Sequence, residues 1–466
     1  MRMLTLRGPI PRSTSRLTSP LAPPARRSVV EVVEDVACTV CGCVCDDLRL
    51  TVDQGRVIEA KGACHLAEPW LLGQDSRRPP LVEIEDQPAS LEAGVERAAA
   101  ILRASRCSLI YGLSRSSTEG QRAAVALAER IGATIDTTAS LCHAPSIMAF
   151  QQVGESTCSL GEVKNRADLV IFWGSDPAES HPRHMERYSV WPRGEFVPRG
   201  RSDRFVVVVD VQPTRSARDA DLFVPVEPGR DFEALWTLRG MVRGLPVEET
   251  VSAGAPMPLL SELASRMKSC RFGVVFFGLG LSMRGLGHRN VEALLSLVID
   301  LNDYTRFYAR RMRVQGDVSG ADGVLIWQTG YPFSVNLARG YPRYNPGEFS
   351  AQDVLERGEV DACLLVGSEG ISRFSDAAVA HLRRIPTIAL DHPTIEKTIP
   401  PTVRFTTAVY GVHRAGTAYR MDDIPIPLRA FLASEYPTDA DVLKRIESHI
   451  VQPEREPAET AGRDDG

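Results

Sequence analysis

Leu169-Val-Ile-Phe-Trp-Gly174-Ser175-Asp176-Pro177, followed by Val206-Val-Val-Val-Asp210 and Thr214, reads as a strand, a tight turn, a helix and a second strand ending on an acid. The same plan recurs as Leu364-Leu-Val-Gly367-Ser368-Glu369, then Ile388-Ala-Leu-Asp391 and Thr394. Short, continuous apolar runs bounded by Gly, Pro or Asp are the mark of strands buried on both faces. In open α/β sheets ligands lie beyond the carboxyl ends of strands, where both Gly-Ser-acid turns fall. Two related nucleotide-binding halves are one reading. For either segment alone, ordinary loop chemistry explains the turn equally well.

Working outward, residues 107–111, 168–173, 272–277, 362–366 and 387–390 are further strand candidates, and 121–131, 231–242 and 291–301 have amphipathic helical spacing. Alternation of this kind predicts α/β domains with mainly parallel sheets. A chain of 466 residues is too long for one core. With 54 Lys+Arg against 59 Asp+Glu it carries a formal charge of -5, which argues against a nucleic-acid binder. The apolar runs at 205–209 and 273–281 are too short to span a membrane. Residues 1–30 hold six arginines and no acid, but no apolar core follows Arg26-Arg27 as an export signal requires. A disordered basic tail and a cytoplasmic location are expected.

Ten cysteines are unevenly spread: Cys38, Cys41, Cys43, Cys45 and Cys64 crowd together and the rest are scattered. Clustered thiols without an export signal point to metal in a reducing compartment. Cys38-x2-Cys41-x3-Cys45, with Cys64 returning later, can cap three corners of a [4Fe–4S] cubane and close the fourth. A structural zinc site is the rival, although zinc sites more often pair two short knuckles. Cys43, between the ligands, is expected to be a spectator. The arginine-rich run at 310–313, taken by itself, reads as solvated surface.

Several longer strings carry a family resemblance. They are Asp136-Thr-Thr-Ala-Ser-Leu-Cys142-His143-Ala-Pro-Ser146, Gly161-Glu-Val-Lys-Asn-Arg-Ala-Asp168, Trp173-Gly-Ser-Asp-Pro-Ala-Glu-Ser-His-Pro-Arg-His184, Gly200-Arg-Ser-Asp-Arg204, Thr329-Gly-Tyr-Pro-Phe333, and Arg339-Gly-Tyr-Pro-Arg-Tyr-Asn-Pro-Gly347. They resemble the B-type subunits of formylmethanofuran dehydrogenase, of the molybdopterin oxidoreductase superfamily that includes the formate dehydrogenases, over about residues 34 to 430. The resemblance implies a small iron–sulfur domain over 31–76. It implies one discontinuous α/β domain over 77–140 and 320–432, a second over 141–319, and a C-terminal helix and tail over 433–466. Both α/β domains would be Rossmann-like and doubly wound, and the C-terminal barrel of larger superfamily members is missing.

The implied cofactors are a [4Fe–4S] cluster on Cys38, Cys41, Cys45 and Cys64, and molybdenum or tungsten held by bis-molybdopterin guanine dinucleotide. The resemblance places the metal ligand at Cys142 and a catalytic histidine at His143. A soft thiolate suits such a metal, and imidazole titrates near neutral pH, so His143 is expected to shuttle a proton. Arg313 would grip the two oxygens of formate. Pterin-nucleotide contacts are expected at Gly174, Asp176, Asp210, Gly367 and Asp391, at Gly229 and Asp231, and at Arg183 and His184 toward pyrophosphate. The chain departs from the family at Val314-Gln315, where Gly-His is usual, and after Cys64, where His65 stands in place of the superfamily's lysine. The implied activity is reversible CO2/formate redox in one-carbon metabolism, within a complex. A barrel-domain subunit would cover the pterins, and a metal-dependent hydrolase subunit would handle the formyl group. The alternative is a non-redox scaffold in a formyltransferase/hydrolase complex.

Overall fold

The structure, a computed structural model, describes residues 30–247, 250–283, 286–314 and 316–451. The expected basic tail, apart from Val30, and residues 452–466 lie outside the described residues, as does Gln315.

The chain begins with an antiparallel meander, β1 (Glu31–Val36), β2 (Leu48–Asp53) and β3 (Arg56–Lys61). A hairpin follows, β4 (Val82–Ile84) with β5 (Gln87–Ala89), and then the parallel pair β6 (Ser108–Gly112) and β7 (Thr134–Thr137). An excursion builds β8 (Leu169–Trp173), β9 (Phe205–Asp210) and β10 (Leu222–Pro225), a small hairpin β11 (Val251–Ser252) and β12 (Ala255–Pro256), then β13 (Phe272–Phe277) and β14 (Arg306–Arg311). The chain returns through β15 (Val335–Asn336), β16 (Arg343–Tyr344), β17 (Ala362–Val366), β18 (Thr387–Asp391) and β19 (Val403–Thr406). A last hairpin, β20 (Gly416–Tyr419) and β21 (Pro425–Leu428), precedes the helix Asp439–Val451.

Two open sheets result. One is wholly parallel, in the order β10-β9-β8-β13-β14. The other runs β16-β15-β7-β6-β17-β18-β19-β4-β5, with a parallel centre from β7 to β19 and antiparallel strands at both edges. Each reverses its strand order once, between β8 and β13 in the first and between β6 and β17 in the second. In the five-stranded sheet the pleat divides the apolar run between two cores. Val170, Phe172, Val206, Val208, Val274 and Phe276 face the meander and its cysteines. Ile171, Trp173, Val207, Val209, Val275 and Phe277 face the helices Asp231–Val242, Met257–Ser269 and Gly287–Leu301. Burial on both faces is why these strands carry no polar alternation.

The helix predicted over 121–131 starts earlier, at Thr118, because Ser117 caps it and accepts from the Gly120 amide; Gly132, at φ +66°, ends it. The arginine-rich run is a correction to the reading as solvated surface. It forms the edge strand β14 and its exit, with Arg310, Arg311 and Arg313 all buried. Arg310 donates to Thr157 Oγ1 at 2.7 Å and to the Met421 carbonyl, and Arg311 pairs with Glu155 at 3.3 Å. Periodicity counted these cations as surface because the acceptors that bury them come from distant segments. No helix among the described residues is long and apolar enough to cross a membrane.

Close packing at Gly273 gives a direct test. A Cβ there would fall 2.2 Å from the Phe307 ring and 3.0 Å from Cys270 Sγ, inside the core. Gly273→Ala is expected to destabilise the chain by about 1–3 kcal/mol, read as a lower thermal midpoint. An unchanged midpoint would mean that β13 and β14 pack less tightly than described.

Candidate functional site

Two neighbouring sites emerge, joined by one short stretch of backbone. The loop between β1 and β2 carries Cys38, Cys41, Cys43 and Cys45, and the turn after β3 carries Cys64; all five line one pocket together with Arg183. The loop is closed by Cys38 N–H donating to the Cys45 carbonyl at 2.8 Å and Val44 N–H donating to Cys41 O at 3.2 Å. Val44, a β-branched residue at φ +38°, is held in a conformation that such residues rarely adopt. Burial, then the neighbouring thiols of Cys41, Cys45 and Cys64, push the Cys38 thiol up, so the four proposed ligands feel one another. Cys45 is drawn down to about 7, first by its bond from Cys43 and further by Arg187 and Arg183. Cys43 is 1% exposed and within hydrogen-bond reach of Cys41 and Cys45, so it is packed among the ligands.

Arg183 lies on this pocket, making a two-pronged pair with Asp47 at 2.7 and 2.8 Å and a third contact with Glu186 at 3.2 Å. His184 is fully buried in the core beneath the meander, its ring 4.6 Å from that of Phe276 and its Nδ1 3.0 Å from Ser189 Oγ. Both residues are thus on the cysteine side of the five-stranded sheet, apart from the strand-end turns.

The strand-end turns are where the two sheets reverse order. Gly174 and Gly280 pack backbone to backbone: Gly280 N–H donates to Gly174 O at 3.0 Å, and a Cβ on Gly174 would fall 2.6 Å from the Leu281 nitrogen. Gly367, at φ +81°, opens the corresponding turn after β17. Asp176 accepts from the amides of Arg215 and Ser216, both at 3.0 Å, and from the Ser216 hydroxyl. Asp391 accepts from Ser368 N at 2.8 Å, Ser368 Oγ at 2.9 Å and Arg404 Nε at 3.3 Å. The two acids therefore brace equivalent turns in the two sheets. Asp210 accepts from Val211 N at 2.7 Å, and buried Asp231 accepts from Trp173 Nε1 at 2.8 Å. Gly229, at φ +81°, forms an open turn with no atom within 4 Å of a would-be Cβ.

The second site is a cavity at the strand ends of both sheets. Thr138, Cys142 and His143 come from the segment after β7, Leu279 from that after β13, and Arg313 and Val314 from that after β14. Val318 and, from the turn after β17, Arg373 complete the wall. Burial pushes the Cys142 thiol up to about 11, and the Arg313 guanidinium holds the rise back. Arg313 is paired with Asp322, which also accepts from Thr137 Oγ1 at 2.9 Å. His143 differs from expectation. Its Nε2 lies 3.2 Å from the Met312 carbonyl, to which only an N–H can bond, so Nδ1 accepts from Ser146 Oγ at 3.2 Å. Burial, with the Arg313 and Arg311 charges, drives it down to about 3. It is a neutral, fully engaged ring rather than one titrating near neutrality.

The cavity is nonetheless polar and under-bonded. Thr138 Oγ1 and Arg313 Nε, both on its wall, are buried without a partner, as are Tyr111 Oη and Ser319 Oγ. Orphaned groups of this kind are costly unless something polar meets them. The cysteine pocket joins the cavity directly: Gly42 N–H donates to the Arg313 carbonyl at 3.2 Å. Sequence reasoning missed Asp322, Arg373 and this bridge. A lone acid inside the apolar helix Val318–Thr329 was the available signal for Asp322.

No protein-family model matches the chain. Over 408 residues it is 41% identical to a protein of Methanocaldococcus jannaschii named as the B-type subunit of tungsten-containing formylmethanofuran dehydrogenase 2, a match covering 86% of this chain and 94% of that one. Among solved structures, the formyltransferase/hydrolase complex of Methylorubrum extorquens with methylofuran matches with a TM-score of 0.66 at 24% identity, over 79% of this chain and 98% of that one. Acetylene hydratase from Pelobacter acetylenicus matches with a TM-score of 0.67 at 11% identity, over 90% of this chain and 69% of that one. At these identities the two structures speak for the shared α/β fold alone.

Proposed function

The chain belongs to the family of B-type subunits of formylmethanofuran dehydrogenase, and on that premise we propose that it is the redox subunit of such a complex, interconverting CO2 and formate in the cytoplasm. The observation that carries this reading is the pairing of two donor sets: four thiols around one pocket, and one backbone contact away a buried cavity holding Cys142 and Arg313.

The residues fit the implied cofactors. Cys38, Cys41, Cys45 and Cys64 would hold a [4Fe–4S] cluster, and their mutual proximity is what a cubane needs. Cys142 would give molybdenum or tungsten a soft ligand, and the unpartnered Thr138 Oγ1 and Arg313 Nε suit a polar group in the cavity. The strand-end turns at Gly174 and Gly367 would receive the two guanine dinucleotide tails. When bound, this metal–pterin group supplies a two-electron redox centre. The chain's own residues do the rest. Arg313 offers its guanidinium to the formate carboxylate, and Asp322 keeps that guanidinium charged and fixed. His143, held neutral by burial, donates to Met312 O and steadies the strand exit that bears Arg313. Burial of the whole wall excludes water and strengthens these charges.

A barrel-domain partner would cover the cofactor, and a metal-dependent hydrolase partner would pass formate to or from the formyl carrier. The likeness to the formyltransferase/hydrolase complex supports a second reading, a non-redox scaffold, as does the engaged state of His143. The presence of Cys142, Arg313 and all four cluster cysteines favours redox. Anaerobically purified complex should reduce a viologen dye with formate, whereas a scaffold would hydrolyse the formyl carrier with no dye reduction at all. The chain expressed without partners is expected to be poorly soluble or free of metal, since obligate interfaces commonly bury more than about 2,000 Å². An active, metal-loaded monomer would contradict the assembly proposed.

A further inference from the structure

We propose that His181 is a positioning residue that locks the cysteine loop to the guanidinium of the cavity. The Arg313 carbonyl accepts two hydrogen bonds, from His181 Nε2–H at 2.7 Å and from Gly42 N–H at 3.2 Å. Gly42 stands between Cys41 and Cys43, and a Cβ there would fall 2.3 Å from the Arg313 oxygen, so only glycine lets the loop come this close. The loop is held from its other side too, the Gly42 carbonyl accepting from Met421 N–H at 2.8 Å. His181 is fully buried, and its Nδ1 lies 2.8 Å from Ser180 Oγ, which fixes the ring with Nε2 as the donor. The residue before Arg313 is treated the same way, the Met312 carbonyl meeting His143 Nε2 at 3.2 Å. Two buried imidazoles, one from the strand-end segment of each sheet, therefore hold consecutive carbonyls. With Asp322 on the guanidinium, Arg313 is fixed at both ends. A shift of the cysteine loop reaches the cavity through this node.

The substrate consequence rests on the function proposed above, whereas the lock itself does not, and the test separates them. Asn places an amide near the Nδ1 position of histidine and Gln near Nε2, so His181→Asn removes the donor to Arg313 and His181→Gln keeps it. In assembled complex, hydrogen exchange of residues 39–45 should accelerate in His181→Asn and return to the wild-type rate in His181→Gln. The formate KM should rise about 10- to 100-fold in His181→Asn with a smaller change in kcat, and recover to within about threefold in His181→Gln. His181→Met, which fills the space without a donor, replaces Asn if that variant does not assemble. Wild-type exchange in the donor-less variant would overturn the lock. Faster exchange with an unchanged KM would overturn the positioning role. If wild-type complex shows no formate activity, the function above fails, and the exchange result alone decides the lock.

Discussion

Cys142→Ala should abolish formate-dependent dye reduction, by at least about a thousandfold or ~4 kcal/mol of barrier, while leaving the cluster's visible absorbance intact. The two halves of this expectation separate because Cys142 lies in the cavity and the four cluster cysteines line a different pocket. Removing Cys142 deletes the soft ligand; nothing in the loop at 38–45 depends on its side chain. Serine is the poorer replacement, since its oxygen can still ligate. The substitution itself should be mild for the fold, because it removes one sulfur from a cavity that already has room beside it. A Cys142→Ala complex that kept most of its activity would remove Cys142 from the site even with the family unchanged.

Asp322→Ala should have the largest effect on stability. Arg313 and Asp322 are almost completely buried, at 4% and 6% side-chain exposure, and each is the other's charge partner. Deleting one member of a buried pair leaves an unpaired charge and typically costs about 3–5 kcal/mol. Asp322 also accepts from Thr137 Oγ1, so its loss opens a second orphan at the exit of β7. The expected result is a thermal midpoint several degrees lower, with formate affinity lost in parallel as Arg313 becomes free to turn. Asp322→Asn isolates the electrostatic part, since it retains the shape and an acceptor but not the charge. A midpoint equal to wild type in both variants would mean that water reaches Arg313 in the folded chain.

The fold was readable from the sequence where the physics is local. The apolar runs at 205–210, 272–277 and 362–366 became β9, β13 and β17 because a strand buried on both faces needs continuous hydrophobicity. The two Gly-Ser-acid turns are braced alike, by Asp176 and Asp391, as their shared spelling suggested. The antiparallel edges β15–β16 and β4–β5 were not seen, being two or three residues long and defined by pairing rather than pattern. Arg310 and Arg311 were misjudged for a similar reason: a buried guanidinium is made acceptable by carbonyls and carboxylates supplied from elsewhere in the chain. The site divides the same way. Cysteine spacing could announce a cluster, but no spacing could reveal that Gly42 would touch Arg313, which lies far away in sequence and comes from another sheet. His143 shows the reverse error. Its ordinary titration suggested a shuttle, and only its burial against Arg311 and Arg313 shows a ring held neutral.

Metal analysis of the anaerobically purified complex tests the central claim most directly. Roughly four irons and one tungsten or molybdenum are expected per copy of this chain, with the iron lost in variants of Cys38, Cys41, Cys45 or Cys64 and the tungsten or molybdenum lost in Cys142→Ala. Zinc alone, or a complex that hydrolyses its formyl carrier with neither iron nor tungsten nor molybdenum bound, would contradict it.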